Sequence, residues 1–233
     1  MKEKKAKRIK INKNKGKLEK KIKIMLLVLL LALGVLYLLL SVVYESGPFT
    51  VTLDESLAIT KGLVMYEDAT EKAERRILKT ESLEFLDNIS INWIPKDVHE
   101  SEGGSNNGDN YIAYTFYIEN QGIEPVSYWY STIIDDVIKN VDEAVRVRIY
   151  LNGESDIYAK INAETLESEE NTTPFFSDEY VEIEQRIGLM PGDTDKFTIV
   201  VWIEGDDPDC LDNLIGGAIK MHMEITQEQI KID

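Results

Sequence analysis

The most distinctive feature of the hydrophobic pattern is one uninterrupted apolar run near the start of the chain, from residue 24 to residue 44. These twenty-one residues include no charged side chain and no proline, and leucine is the commonest residue among them. At a rise of about 1.5 Å per residue, a helix of this length spans roughly 30 Å, the thickness of a bilayer's hydrocarbon core. The pattern therefore predicts one transmembrane helix over residues 24–44.

After this run the pattern changes to short segments that alternate between apolar and polar residues or are rich in aromatic and β-branched residues. Such segments are typical of β-strands, and Asn152-Gly153 between two of them predicts a two-residue hairpin turn. Helical patterning is limited to 69–78 and 82–86. Around eight strands at this spacing predict a mainly β fold, an antiparallel β-sandwich. The predicted strands are 49–53, 57–65, 111–120, 126–134, 145–151, 157–161, 180–184, 196–204 and 218–225.

Three of these strands lead to more specific expectations. A short loop separates 111–120 from 126–134, so we expect the two to pair as antiparallel neighbours. The segment 196–204 is apolar on both faces, which favours a position in the middle of a sheet. Clean alternation from residue 145 onward predicts that Arg146 and Arg148 lie on the solvent face of their strand.

Charge divides the chain in the same place as hydropathy. Residues 1–23 contain eleven Lys and one Arg against two Glu, a net charge of +10, whereas the remainder carries a net charge of −26. Because basic flanks stay in the cytoplasm, the pattern predicts a cytoplasmic tail over 1–23, a signal anchor over 24–44 and an extracellular acidic domain over 45–233. A polyanionic domain repels phosphate, which argues against a nucleic-acid partner.

The fate of the anchor has two readings. A cleaved signal peptide usually has a shorter apolar region that ends in small residues at the cleavage site. Here Ser41-Val42-Val43 is a poor site, and Ala32-Leu33-Gly34 has the small-x-small pattern but lies inside the apolar run. We therefore expect an uncleaved anchor at the cell membrane; cleavage would produce a secreted protein.

Candidate catalytic chemistry is sparse in this sequence. The two histidines, His99 and His222, do not form an H-E-x-x-H zinc motif, and G-x-S-x-G, P-loop and dinucleotide-binding fingerprints are missing from the sequence. The single cysteine, Cys210, rules out an intramolecular disulfide and lies among carboxylates, which disfavour a reactive thiolate. We expect no enzymatic activity and no bound organic cofactor.

Calcium is the one cofactor that the sequence suggests. The loop 204–212 holds five carboxylates in nine residues, and hard cations prefer several oxygen ligands. Asp109 or Asn107, in the Gly- and Asn-rich loop 101–110, would add a ligand if the two loops lie close together; that second loop is expected to be mobile and exposed. The predicted calcium ligands are Asp206, Asp207, Asp209 and Asp212.

Three blocks of the sequence carry a family resemblance: GDNYIAYTFYIENQG (108–122), IIDDVIKNVDEAVRVRIYLNGE (133–154) and PGDTDKFTIVVWIEGDDPDCLDNLIGGAIKMHMEI (191–225). They resemble a group of largely uncharacterised exported surface proteins of Gram-positive bacteria, which are distantly similar to the camelysin and TasA-type matrix-protein superfamily. The resemblance implies a jelly-roll or Ig-like sandwich at the cell surface, and in some relatives polymerisation into biofilm fibres by strand exchange.

The favoured hypothesis is a membrane-tethered, non-catalytic module with a structural or adhesive role in the cell envelope. A first alternative is a self-assembling matrix or fibre subunit in which the strand 49–53 inserts into the sheet of a neighbouring copy. A second alternative is a camelysin-like metallopeptidase, which the resemblance implies without supplying a zinc motif that matches residues of this chain. The expected partners are the membrane, a second copy or a component of the envelope.

Overall fold

The computed structural model describes residues 20–37, 49–81, 83 and 86–229. The chain divides into two compact units, Met1–Ser46 and Gly47–Asp233. In the first unit residues 20–37 form a helix. Among the described residues, no helix has both the length and the hydropathy of a membrane span. The predicted span 24–44 coincides with this helix as far as residue 37; residues 38–44 and most of the basic segment, 1–19, lie outside the described residues.

The second unit is built from two β-sheets joined by loops and short helical turns. One turn is π-helical, Leu57–Lys61, and four are 3-10 helical: Ile91–Trp93, Val98–Glu100, Val141–Glu143 and Asp212–Leu214. The strands, in chain order, are β1 (Phe49–Leu53), β2 (Leu63–Tyr66), β3 (Ile77–Lys79), β4 (Gly104–Ser105), β5 (Tyr111–Asn120), β6 (Val126–Ile138), β7 (Val145–Leu151), β8 (Glu154–Ala159), β9 (Thr173–Pro174), β10 (Tyr180–Leu189), β11 (Thr194–Ile203) and β12 (Ala218–Thr226).

Sheet A has the strand order β10-β6-β12-β1-β3, and sheet B has the order β2-β5-β11-β7-β8-β9, with β4 also paired to β5. Neighbouring strands are antiparallel except in two pairs, β1 with β12 and β8 with β9. The predicted mainly β architecture of two sheets is therefore confirmed. The hairpin at Asn152-Gly153 is also confirmed: it joins β7 to β8, and both residues have the positive φ that a type I′ turn requires.

The main core lies between the two sheets, because each strand alternates and directs its apolar residues inward. In β1, Phe49, Val51 and Leu53 are buried while the intervening threonines are partly exposed. Within sheet B, the rings of the cross-strand neighbours Phe116 and Phe197 stack with their centroids 5.1 Å apart. Burial of this apolar cluster is the main source of stability for a unit that has no disulfide.

A second, smaller apolar cluster covers the outer face of sheet B. Residues 88–101, here called the covering segment, place Ile89, Ile94 and Val98 against Trp202 and other outward-facing residues of β5, β7 and β11. The outer face of β7 is therefore not solvated as its alternation suggested. Arg146 is only 4% exposed, so its predicted position on a solvent face is wrong.

Several predicted elements differ in the structure. The strands β5 and β6 do not pair: the loop between them carries the chain from sheet B to sheet A. The expected strand 57–65 is a π-helical turn followed by β2, and the expected helix 69–78 is irregular until β3 begins. The loop 101–110 is tied to the sheet by β4. The position of β11 between β5 and β7 confirms the central strand.

A buried carboxylate cluster at the acidic loop

The acidic loop after β11 folds into a turn that buries one aspartate. Asp207 Oδ1 accepts a hydrogen bond from the backbone N–H of Asp209 at 2.7 Å, and the Asp207 carbonyl accepts from the N–H of Cys210 at 3.0 Å. An aspartate that binds the backbone two residues ahead stabilises such turns, and Pro208 restricts the backbone at the same point. The turn thus directs the other oxygen of Asp207 into the protein.

A second loop, between β8 and β9, supplies the neighbouring carboxylate. Asn162 organises this loop, because its Oδ1 accepts hydrogen bonds from the N–H groups of Glu164 and Thr165. Its Nδ2 donates to Glu169 Oε1 at 3.2 Å. The N–H of Ala163 donates to Asp209 Oδ2 at 3.0 Å, which joins this loop to the acidic loop.

These two loops bring three carboxylates together around Arg146. One oxygen from each of Glu169, Asp207 and Asp209 lies within 4.8 Å of the others. Arg146, from β7, donates through Nη2 to Asp207 Oδ2, and the same nitrogen lies 3.7 Å from Glu169 Oε2. The side chain of Asp207 is fully buried, so the guanidinium acts as its internal counter-ion.

One positive charge leaves this cluster with a formal charge of −2 when all three carboxylates are ionised. A hard cation could take carboxylate oxygens from this group, with water completing the six to eight oxygens that Ca²⁺ takes. Of the four predicted ligands, the structure brings Asp207 and Asp209 into this group and leaves Asp206 and Asp212 outside it. The calcium site therefore stays a prediction.

Asn107, one of the other suggested ligands, is engaged elsewhere. Asn107 Oδ1 accepts from the N–H of Ala113 at 3.0 Å, and its Nδ2 donates to the carbonyl of Glu81.

Titration calorimetry with millimolar Ca²⁺ tests the calcium site directly. Zero heat and an unchanged melting temperature would eliminate it.

Negative charge extends well beyond the cluster at this end of the sandwich. Thirteen acidic but only three basic residues lie in four segments, 139–146, 160–170, 177–179 and 204–217. All three bases are engaged: Lys139 with the Ile215 carbonyl, Arg146 with Asp207, and Lys160 with Asp142 and Glu143. Burial lowers the pKa of Lys160, but hydrogen bonds to Asp142 and Glu143 outweigh it and raise that pKa above the usual range.

The two histidines are not members of this cluster, and Cys210, which lies in the same turn as Asp207 and Asp209, directs its thiol to a different partner. His99, in the covering segment, stacks on Tyr150 with ring centroids 4.8 Å apart. His222, in β12, has Nδ1 2.9 Å from Asp135 and Nε2 3.4 Å from Glu224. Cys210 is partly exposed, and its Sγ accepts a hydrogen bond from Asn88 Nδ2 at 3.2 Å. Among the described residues, neither histidine belongs to the group that could hold a metal.

Two members of the cluster, Arg146 and Glu169, were missed by sequence reasoning. A charged residue inside the otherwise apolar run VRVRIYL was a usable signal for Arg146, because a buried guanidinium requires an anion nearby. Glu169 gave no comparable signal, since it is one of four glutamates in an acidic loop whose conformation depends on Asn162.

No protein-family model matches the chain, and no curated protein does. Among solved structures it is similar to a β-glucosidase from Kluyveromyces marxianus in complex with glucose, at 12% identity and a TM-score of 0.25. The similarity covers 73% of this chain and 16% of the β-glucosidase chain. A likeness this weak carries no inference about activity.

Proposed function

We propose that this protein is a membrane-tethered, non-catalytic module of the cell surface with a structural or adhesive role in the cell envelope. The observation that carries the proposal is the order of three regions along the chain: a +10 segment, an uncharged run of twenty-one residues and an acidic unit of two sheets. Basic residues that flank an apolar helix stay in the cytoplasm, so the acidic unit is the exported part.

The second unit has the features of a module that folds on its own. Its core is continuous between the two sheets and contains no disulfide, so folding does not depend on an oxidising compartment. Within the two-sheet architecture, we propose a jelly-roll or Ig-like sandwich, as the resemblance to exported Gram-positive surface proteins implies. The resemblance also supports the surface location.

Cys210 provides a direct test of orientation, because it is the chain's only cysteine and is partly exposed. A membrane-impermeant maleimide added to intact cells should label it. The matched control is Cys210→Ser combined with Asn14→Cys in the basic segment, which should be labelled only after lysis. Labelling of both cysteines only after lysis, or of Asn14→Cys in intact cells, would overturn the proposed topology.

Retention of the anchor requires a separate measurement. Mass spectrometry of the protein isolated from cells should give a mature chain that still includes residues 24–44 and fractionates with the membrane. A mature N-terminus near residue 35 or 45 would contradict the tether and would favour a secreted protein.

The second candidate, a subunit that assembles by strand exchange, is favoured by the way the sheets end. The edge strand β9 contains Pro174, which lacks an N–H, and the edge strands β3 and β2 have only three and four residues. The edge strand β10 carries inward-facing charged residues and register irregularities near both ends. These features protect sheets against edge-to-edge association. Assembly through the sheets would therefore exchange an interior strand.

β1 is the interior strand best suited to exchange. It lies between β12 and β3, and its three buried side chains would fill the same groove in a second copy. Thr50 pairs directly with Lys79 in β3, so Thr50→Cys with Lys79→Cys and Cys210→Ser should form a disulfide that locks β1 in its own sheet.

Sedimentation of this locked variant tests the exchange. Assembly by exchange predicts oligomers for the wild type and for the reduced variant, and monomers for the oxidised variant. Equal oligomerisation of the oxidised and reduced forms would exclude β1 exchange, and a monomeric wild type would exclude assembly.

A further inference from the structure

Strand β10 forms one edge of sheet A, and it pairs along its length with β6 alone. Its first residues gain some cover, because the carbonyls of Tyr180 and Val181 accept hydrogen bonds from Ser177 and Phe176. Register irregularities occur between Tyr180 and Glu182 and between Arg186 and Leu189. The central part of β10 is therefore held by one ladder and bounded by two interruptions.

The face of β10 that points between the sheets is charged. Glu182, Glu184 and Arg186 pair with Thr132, Tyr130 and Tyr128 of β6. Arg186 Nε donates to Asp195 across the sandwich at 3.0 Å, and Glu184 is exposed. Neither glutamate of this row has a countercharge among the ion pairs of the described residues, and of the two only Glu182 is buried.

Glu182 is a fully buried carboxyl group with one oxygen unsatisfied. The hydroxyl of Thr132 donates to Oε1 at 2.8 Å, and Oε2 has no hydrogen-bond partner within the described ranges. Burial raises the pKa of Glu182 well above its usual value of 4.5, the Thr132 hydroxyl offsets part of that rise, and the charge of Glu184 adds to it.

The titratable groups near Glu182 on neighbouring strands offer it no free countercharge. From β10 these are Glu184 and Arg186, and Arg186 is already bound by Asp195. From β6 there is Tyr130 and from β8 there is Tyr158, and the carboxylate of Asp156 lies near both of these tyrosines. The neighbourhood is predominantly acidic, so the buried site favours a neutral carboxylic acid over a carboxylate.

We propose that Glu182 is a protonation-dependent latch on the edge strand β10. With a neutral carboxyl group, β10 stays closed on β6. When the carboxyl ionises, the lowest-cost response is a local opening of β10 that exposes Glu182 to water, because β10 is an edge strand between two register interruptions. The remaining strands of the sheet keep their partners during this opening.

The latch has a defined pH dependence. In the open state Glu182 titrates near its usual value of 4.5, and in the closed state it titrates higher. Between these two values the closed state binds the extra proton, so raising the pH increases the open population about tenfold for each pH unit. Above the closed-state value the open population becomes constant.

Hydrogen exchange measured by mass spectrometry on the full chain in detergent micelles tests the latch. Protection factors, corrected for the intrinsic exchange rate, would be measured at about pH 5, 6 and 7. Peptides from β10 should lose protection as the pH rises above the open-state value and until it reaches the closed-state value, whereas peptides from β11, in the centre of sheet B, should keep theirs. Constant protection of β10 in the wild type, or an equal loss in β11, would overturn the latch, and this comparison requires no variant.

Two matched variants add a control on the same strand. Glu182→Gln cannot ionise and should make the protection of β10 independent of pH. Glu184→Gln removes the same charge two residues away at an exposed position and should keep the wild-type slope. If the protection of β10 still changed with pH in Glu182→Gln, or no longer changed with pH in Glu184→Gln, the pH dependence would belong to a group other than Glu182.

Discussion

The hydroxyl of Tyr128 donates a hydrogen bond of 2.7 Å to Asp195 Oδ2, and this bond joins β6 in sheet A to β11 in sheet B. Asp195 is 1% exposed and would be costly to bury alone. Its other oxygen accepts from Asn152 Nδ2 at 2.7 Å, and Arg186 Nε lies 3.0 Å from Oδ2. One carboxylate thus connects three strands and the β7–β8 turn through the sandwich interior.

Removal of the Tyr128 hydroxyl should weaken this connection. Tyr128→Phe keeps the ring and leaves Asp195 with one donor fewer, so we expect a loss of about 1–3 kcal/mol in unfolding free energy. Urea unfolding followed by tryptophan fluorescence measures it. Tyr180→Phe, at a partly exposed position of β10, is the control and should change stability little. Equal effects of the two substitutions would show that Tyr128 contributes through its ring alone.

Substitution in the pair of Arg146 and Asp207 should lower the unfolding free energy by more than Tyr128→Phe does. Asp207→Asn leaves a guanidinium that is 95% buried without its main anion, and breaking a buried pair in this way costs about 3–5 kcal/mol. Asp206→Asn removes the same charge from the exposed neighbouring residue and should be nearly neutral. Thermal unfolding of both variants checks the difference. Similar melting temperatures would mean that Glu169 alone suffices as the counter-ion.

The turn between β7 and β8 provides a test of backbone conformation without a packing change. Gly153 has a φ of 92°, and a Cβ built there would meet no atom within 4 Å. Gly153→Ala should therefore cost about 1–2 kcal/mol from the left-handed backbone alone. Gly205→Ala is the control, because its Cβ would meet atoms only at ordinary contact distance and its φ lies outside the left-handed region. Equal unfolding midpoints for Gly153→Ala and Gly205→Ala would contradict backbone strain at position 153.

Glu119 should contribute to stability at neutral pH and lose that contribution in acid. Its Oε2 accepts from Lys72 Nζ at 2.7 Å, and this bond lowers the pKa of Glu119 below 4.5. Because the folded-state pKa is depressed, the contribution is complete above pH 4.5 and disappears as the pH falls through the folded value. Glu119→Gln should flatten the acid limb of the melting-temperature profile. Glu124→Gln, in the loop after β5, should leave that limb unchanged.

Local signals in the sequence predicted individual strands and turns well. They could not predict which strands pair when the two strands are distant in sequence. Asn152-Gly153 determines its hairpin within a few residues, and the alternation of 49–53 identifies β1. The same alternation fits any neighbouring strand, so it could not reveal that β5 and β6 belong to different sheets. The segment 57–65 was misread for a local reason: Asp54 caps the N–H groups of Ser56 and Leu57, and Gly62 ends the turn with a φ of 74°.

Two of the four residues of the candidate site were predicted, because these two are close together in sequence and the others are not. Acidic composition identified Asp207 and Asp209, which lie in one turn. Arg146 was assigned to a solvent face because the two loops whose carboxylates surround it, one between β8 and β9 and one after β11, are separate in sequence from β7. The grouping of Glu169 with these residues depends on two loops that meet only in the folded protein.

The parallel pairing of β1 with β12 has a consequence for biogenesis. Phe49 lies beside Met221, so the first strand of the second unit has no permanent neighbour in β12 until the last strand has been synthesised. If the acidic unit crosses the membrane as an extended chain, β1 emerges first and must wait for nearly the whole polypeptide to follow. Pairing between strands this distant in sequence is slow because the intervening chain must first be closed into a loop. On such a route the protein would therefore pass through a translocation intermediate in which β1 lacks its β12 neighbour.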